Sequence, residues 1–337
     1  MDIKDFNSEQ LRVISNIEMQ YDAFVSARRE LESIPYGMKW HQTGQYEYLY
    51  KVRNARGDGN SLGPRSPALE AKKSEYEAGK ASIKTRIASG KESIDLSAAI
   101  WRSLKMPVIS NEAAKILVQL DAKGLLGESL LVVGTNAFAA YEIEAGGRFL
   151  VGWDATEDFD LAWTGKLVLG KTKLPQTLFG VLKGMDSTWT VNTERTFQAR
   201  NAKAYEVELL SAPSVRATLP AGEMSPIPLE EQEWLLLGNP LEHVVCSLSP
   251  QPVAARIVAP DPRWMALHKM WLSRQAKRKP EKRPKDARQG AFLLQAVQER
   301  MPRYALDAAF EASIPQLLKP IYREWKTVGI EFNYRGS

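Results

Sequence analysis

The chain has 337 residues, 44% hydrophobic and 25% charged, which excludes a disordered tail or linker protein and suits two or three units with cores of ordinary size. The single Cys246 excludes a disulfide scaffold and a zinc site of paired thiolates. Forty-five Lys and Arg against forty Asp and Glu leave +5. That charge is unevenly placed. Residues 274–288 carry eight basic side chains against Glu281 and Asp286, and residues 39–91 carry eleven basic against five acidic. Such patches concentrate phosphate-rich partners and are screened by salt, although a solvated loop face also produces them. The longest apolar stretches, such as Leu130–Val133 and Leu235–Leu237, fall far short of the ~18 residues of a membrane span. Met1–Asp5 lacks a signal-peptide pattern. The expectation is a cytoplasmic protein with no membrane anchor.

From Asn7 to Ser33, apolar residues from Leu11 to Leu31 recur at three- and four-residue steps behind Asn7 as N-cap, which predicts one long amphipathic helix. Polar and aromatic residues then alternate from Tyr36 to Tyr50 and reach a loop at Arg56–Asn60, predicting a small sheet or hairpin. Ser66-Pro67 opens a Lys/Glu/Ala-rich helix expected to run to Ala88 and stop at Gly90. A first domain boundary is expected near residue 95. Beyond it come a helix at Asn111–Lys123 ending at Gly124, a buried strand at Leu130–Gly134, and a helix at Asn136–Glu144. A strand at Phe159–Trp163, a helix at Gln176–Lys183 and a strand at Ala204–Leu210 follow. Short strands near Glu242–Ser247 and Val253–Val258 precede helices from Pro262 to Arg274, from Lys285 to Arg300, and from Tyr304 to the end.

Chemistry concentrates in two segments, the strand–Gly134-Thr135-Asn136–helix and the later Thr156-Glu157-Asp158-Phe159-Asp160-Leu161. On an extended strand Asp158 and Asp160 share one face, opposite Phe159 and Leu161, so two hard carboxylate ligands converge where Mg²⁺ or Mn²⁺ is suited. The turn at Gly134, Thr135 and Asn136 offers backbone N–H groups to phosphate at a helix start. A third carboxylate comes from Glu208 on a later apolar strand, with Glu206 as its rival.

These residues resemble the nucleotidyltransferases of the DNA polymerase β-like superfamily, whose core runs strand, Gly-containing turn, helix, then a strand bearing Asp-x-Asp. Gly134-Thr135-Asn136-Ala137-Phe138 with Tyr141, the Asp158-Phe159-Asp160 run, and Pro260-Asp261-Pro262-Arg263 with Ala266-Leu267-His268-Lys269 resemble a bacterial branch of the NTP_transf_8 type. Met38-Lys39-Trp40, Tyr48-Leu49-Tyr50 and Ser61–Ser66 belong to the same likeness, which spans residues 36–300. The branch is related to abortive-infection and toxin nucleotidyltransferases. Thr135 departs from the commoner Ser or Gly, and Gly134 lies farther from Asp158 than in minimal superfamily members.

The resemblance implies an α+β protein: a polymerase β-like core of mixed sheet flanked by helices at 96–260, an N-terminal helix and hairpin module at 1–95, and a helical C-terminal region at 261–337. It implies Mg²⁺-dependent transfer of a nucleoside monophosphate from a nucleoside triphosphate to an acceptor hydroxyl, with pyrophosphate release. Asp158, Asp160 and Glu208 take the catalytic and metal-binding positions. Gly134, Thr135, Asn136, Lys269 and Lys285 take the nucleotide-binding ones, with Lys285-Asp286 either supporting the pocket or capping a helix. The basic regions point to a nucleic-acid acceptor such as tRNA, and the toxin relatives to an antitoxin partner. The competing readings are a non-catalytic nucleic-acid-binding protein on the same fold and a transferase acting on a protein or a small hydroxyl substrate.

Other residues carry plainer readings. His41, His243 and His268 are too scattered for a zinc centre; His268, beside Lys269, either touches phosphate or is structural. Trp40, Tyr46, Tyr48 and Tyr50, interleaved with Lys39, Lys51, Arg53 and Arg65, resemble surfaces that stack single strands, or else pack on the first helix. Cys246 reads as a core residue.

Overall fold

A computed structural model of the chain describes residues 3–150, 158–165, 177–218 and 223–333. In chain order it begins with β1 (Ile3–Asp5), α1 (Ser8–Ser33), β2 (Gly37–Thr43), β3 (Tyr46–Val52), β4 (Gly59–Pro64) and α2 (Pro67–Ser103). Then come β5 (Val108–Ile109), α3 (Asn111–Ala122), β6 (Leu130–Val132), α4 (Phe138–Glu144), β7 (Gly147–Phe149), β8 (Asp158–Trp163) and α5 (Leu178–Met185). After these stand β9 (Thr190–Val191), β10 (Gln198–Arg200), β11 (Glu206–Ser211), β12 (Ile227–Pro228), α6 (Gln232–Leu235), β13 (Leu241–Ser247) and β14 (Ala254–Ala259). The last helices are α7 (Pro262–Leu272), α8 (Arg283–Arg300), α9 (Ala308–Ser313) and α10 (Lys319–Val328). The fold is mixed α+β, as the sequence predicts.

Local chemistry sets several boundaries. The α1 start is a reciprocal cap: Gln10 N–H donates to Asn7 Oδ1 and Asn7 N–H donates to Gln10 Oε1, both at 2.9 Å. Ser110 caps α3 by accepting from Ala113 N–H at 3.1 Å, and Gly124, at φ +69°, follows its end. Some expectations fail. Gly90 does not stop α2, which continues to Ser103; the cost of about 1 kcal/mol for a helical glycine is spread over a long helix, and Gly90 lies against Phe24 of α1. The C-terminal stretch is broken into α9 and α10 rather than one helix, with Pro315 between them and Gly329 closing α10 at φ +57°. Gln176 and residues 334–337, expected to be helical, lie outside the described residues.

The chain divides into two compact units. The smaller, residues 16–97, joins the corresponding parts of α1 and α2 to an antiparallel sheet in the order β2-β3-β4. Ile17, Tyr21, Val25 and Ile83 fill its helical seam and Leu49 and Val52 bury the sheet. Tyr76 Oη donates to Pro35 O at 2.8 Å and Ser97 Oγ to Gln20 Oε1 at 2.7 Å.

The larger unit holds residues 1–15 and 98–337. Its main sheet runs β6-β8-β11-β10-β9 with β12 on β11, beside a smaller sheet β14-β13-β5 and the pair β1-β7. Phe159, Leu161, Val207 and Leu209 are buried by strand alternation, each contributing about 1.5–3 kcal/mol for the area removed from water. Helices α7 and α8 pack so closely that a Cβ on Gly290 would fall 2.5 Å from Ala266 O. Cys246 is fully buried, and burial pushes its thiol pKa up, so it behaves as core. Among the described residues, no helix is long and apolar enough to cross a membrane.

Candidate active site

Two neighbouring strands build the site. β8 and β11 are parallel, with Asp158 opposite Glu206 and Asp160 opposite Glu208. Because Phe159, Leu161, Val207 and Leu209 occupy the buried face, Asp160, Glu206 and Glu208 fall on the other. Asp158 holds its register position two residues before Asp160; its side chain, and Thr156 and Glu157 altogether, lie outside the described residues.

Opposed like charges on adjacent strands are unfavourable, and β10 offsets them unequally. Arg200 Nε donates to Glu206 Oε1 at 2.8 Å, so Glu206 is charge-paired. Gln198 Nε2 donates to Glu208 Oε1, and an amide leaves the carboxylate's charge in place. Glu208 thus faces Asp160 and is held by an amide, while Glu206 faces Asp158 and is held by a cation. Gln198 and Arg200 were not foreseen. Their signal is the Gln-Ala-Arg alternation, antiparallel in register with Glu206-Val207-Glu208 through the turn at Asn201–Tyr205.

The Gly134 turn meets this carboxylate face. β6 pairs antiparallel with β8, and Val133 N–H donates to Asp160 O at 3.1 Å. Gly134 adopts φ +70°, and a Cβ there would lie 2.4 Å from Asp160 Oδ2. Only glycine allows both the left-handed backbone and the close carboxylate. Residues Gly134–Ala137 form a 3₁₀ turn and α4 begins at Phe138, later than the predicted Asn136. The turn itself, with Thr135 and Asn136 half-buried, therefore stands beside Asp160.

Lys269 and Lys285 occupy a different setting. Lys269, on α7, is buried, and its Nζ donates to Asp286 Oδ1 at 2.9 Å, while Arg278 Nε donates to Asp286 Oδ2 at 2.7 Å. Burial works to raise the Asp286 pKa, but Lys269 and Arg278 outweigh it and hold the carboxyl below its ordinary value. Lys285 stands half-buried in the first turn of α8, next to Asp286. His268 is buried with neither ring nitrogen partnered among the described residues. Burial first, then the Lys269 charge, lowers its pKa to about 3, so the ring is neutral. The Pro260–Arg263 motif is architectural: Asp261 accepts from Arg263 N–H at 3.0 Å to cap α7 and pairs with the Arg263 guanidinium at 2.7 Å. Tyr141 Oη donates to Pro260 O at 3.0 Å.

Among the described residues, no three His, Cys, Asp or Glu side chains gather into a metal-binding group. The expected triad includes Asp158, whose side chain is not described. The donor chemistry fits a hard divalent cation: carboxylate oxygens of Asp160 and Glu208 from directly opposed positions, with Asp158 on the same strand.

The family model described as Nucleotidyltransferase matches residues 111–314. That span contains the Gly134 turn, both carboxylate strands and the α7–α8 ion pair. No curated protein and no solved structure matches the chain.

Proposed function

Since the chain belongs to the NTP_transf_8 nucleotidyltransferase family, whose members transfer nucleotidyl groups, we propose that it moves a nucleoside monophosphate from a nucleoside triphosphate to a hydroxyl of a nucleic acid such as tRNA. The observation that supports this reading is the Asp160–Glu208 register beside the Gly134 turn.

In this reading Asp158, Asp160 and Glu208 hold Mg²⁺ or Mn²⁺. When bound, the ion neutralises triphosphate charge and acidifies the attacking hydroxyl. Backbone N–H groups of Gly134, Thr135 and Asn136 and the Thr135 hydroxyl orient the triphosphate. The acceptor oxygen bonds to the α-phosphorus, the α–β phosphoanhydride bond breaks, and pyrophosphate leaves with the electron pair. Glu208 takes the hydroxyl proton, while Gln198 holds one of its oxygens in place. Lys269 is assigned to the triphosphate; its bond to Asp286 Oδ1 uses one of three ammonium N–H donors. Lys285 is assigned to the same phosphate end.

For the acceptor, Lys277, Lys279 and Arg288 are exposed in the basic region and, among the described residues, join no ion pair. That favours a polyanion. An antitoxin partner rests on the toxin resemblance alone.

The test incubates the full-length protein with Mg²⁺, each α-labelled nucleoside triphosphate, and RNA. Label should move to RNA, and Asp160→Asn should reduce transfer by about 10²-fold or more with the fold intact. Label on protein or on a small hydroxyl compound would move the acceptor. Absence of both transfer and nucleotide binding would overturn the reading.

A further inference from the structure

The smaller unit's sheet has two unlike faces. Regular β2–β3 pairing sets Lys39 opposite Tyr50, His41 opposite Tyr48 and Thr43 opposite Tyr46, so these side chains share a face. The edge contact of the His41 and Tyr50 rings, 4.9 Å between centroids, bears this out. Trp40, Glu47 and Leu49 belong to the other face. There Arg65 lies 5.2 Å from the Trp40 ring centroid and is bound to Glu47 and Glu70, so Trp40 and Arg65 are occupied by the unit itself.

The Tyr face is closed at its Val52 end, which is buried, and open towards Tyr46. Tyr46 is 57% exposed; Lys39, His41 and Arg53 are exposed and Tyr48 and Tyr50 half-exposed. Among the described residues, Lys39 joins no ion pair. Arg53 Nη2 donates to the neutral Asn60 Oδ1 at 2.9 Å, which keeps its charge unneutralised. A groove of about 820 Å³ lies between this face and the 53–59 loop, lined by His41, Thr43, Tyr50, Arg53, Asn54 and the acidic Asp58. Alternate aromatics on β3 stand about 6.8 Å apart, a row of flat π-surfaces edged by cations.

We propose that this face of the smaller unit binds a single-stranded segment of nucleic acid, with bases stacking on Tyr46, Tyr48 and Tyr50 and phosphates meeting Lys39 and Arg53. Stacking tolerates any base and needs flat exposed rings; phosphate binding needs cations not already neutralised by carboxylates. Tyr46 and Lys39 meet these conditions most fully, and Trp40 and Arg65 on the other face do not. The inference rests on the nucleic-acid acceptor reading above and assigns that acceptor a docking surface outside residues 111–314.

The experiment is fluorescence anisotropy of the full-length protein with labelled 12-nucleotide single-stranded RNA, single-stranded DNA and duplex RNA, at several salt concentrations. Single strands should bind more tightly than duplex; the RNA and DNA arms show which sugar is preferred. Tyr50→Ala should weaken binding about tenfold. Tyr46→Ala, at the most exposed ring, should weaken it in the same direction and serves if Tyr50→Ala misfolds. Lys39→Ala with Arg53→Ala should lower the salt slope by about one per phosphate contact removed. Equal binding by wild type and these variants, or duplex binding as tight as single strand, would overturn the inference. So would self-association lost in the variants without any oligonucleotide binding. Nucleotide binding, followed in the same preparations by calorimetry, should not change in the variants. Its absence in wild type would sink the transferase reading while leaving a face-dependent oligonucleotide signal intact, so the two failures are distinguishable.

Discussion

The Asp160 carboxylate occupies the space that a side chain on Gly134 would need: a Cβ at residue 134 would stand 2.4 Å from Asp160 Oδ2. The turn and the carboxylate are thus one construction, in which a residue without a side chain admits an acidic group that the proposed chemistry requires.

Gly134→Ala should therefore damage two things. A non-glycine residue at φ +70° costs about 1–2 kcal/mol, and the methyl group must displace Asp160. Urea unfolding should show the first effect, and nucleotidyl transfer should fall by more than the lost stability explains. A fully active, equally stable variant would refute this account of the turn.

The two glutamates of β11 should separate in assay. Glu208→Gln should reduce transfer by about 10²-fold or more. Glu206→Gln loses only a pairing with Arg200, whose side chain is 60% exposed, and such pairs contribute about 0–1 kcal/mol; its activity should stay near wild type. The reverse ranking would assign the third carboxylate to Glu206.

Asp286→Asn should destabilise the larger unit by about 3–5 kcal/mol, because Lys269 would be left as an unmatched buried charge. The Lys269→Met, Asp286→Leu double variant should recover much of that loss in thermal melts while transfer stays impaired. Asp286 has its pKa held below the ordinary 3.8. Its contribution is therefore present above that pH and is lost as pH falls through the lowered value. Asp286→Asn should flatten the acid limb of the stability profile.

Glu142 should act with the opposite sign. Burial raises its pKa to about 7, against the opposing Arg148 charge and the Phe149 N–H at 2.7 Å. The stability it contributes is complete below the unfolded value of 4.5 and is lost as pH rises through about 7, amounting to about 3 kcal/mol. Glu142→Gln should remove that neutral-pH slope in denaturant titrations. His268, lowered to about 3, works the other way: its stability is present above 6.5 and declines as pH falls.

Gly90→Ala should stabilise the smaller unit by about 0.5–1 kcal/mol, since the new methyl would meet Phe24 Cβ at an ordinary 3.5 Å. A loss of stability would mean that α1 and α2 are packed more tightly there than the spacing shows.

Much of the site was legible because period-two burial is written directly in Asp-Phe-Asp-Leu and Glu-Val-Glu-Leu, where the apolar residues choose the face and the carboxylates receive the other. The strand register that makes Glu208 the partner of Asp160 was not legible, since it depends on how two distant segments align. Gln198 and Arg200 were missed for the same reason. Lys269 and Asp286 drew notice as a resemblance, yet nothing local in either segment says that they bind each other. Gly90 misled because a single helix-weakening residue is outweighed by the packing of the segments around it. Ala204, read as strand, sits at φ +61° in the turn before β11, a conformation that its side chain gives no reason to expect.

The strand Ile3–Asp5 pairs with Gly147–Phe149, so the larger unit is discontinuous in sequence and residues 16–97 interrupt it. During synthesis, the first strand leaves the ribosome more than 140 residues ahead of its mate. Every residue of the interrupting unit is synthesised while that strand still waits. Translation therefore supplies the whole tyrosine-bearing sheet before Asp160 and Glu208 have been made.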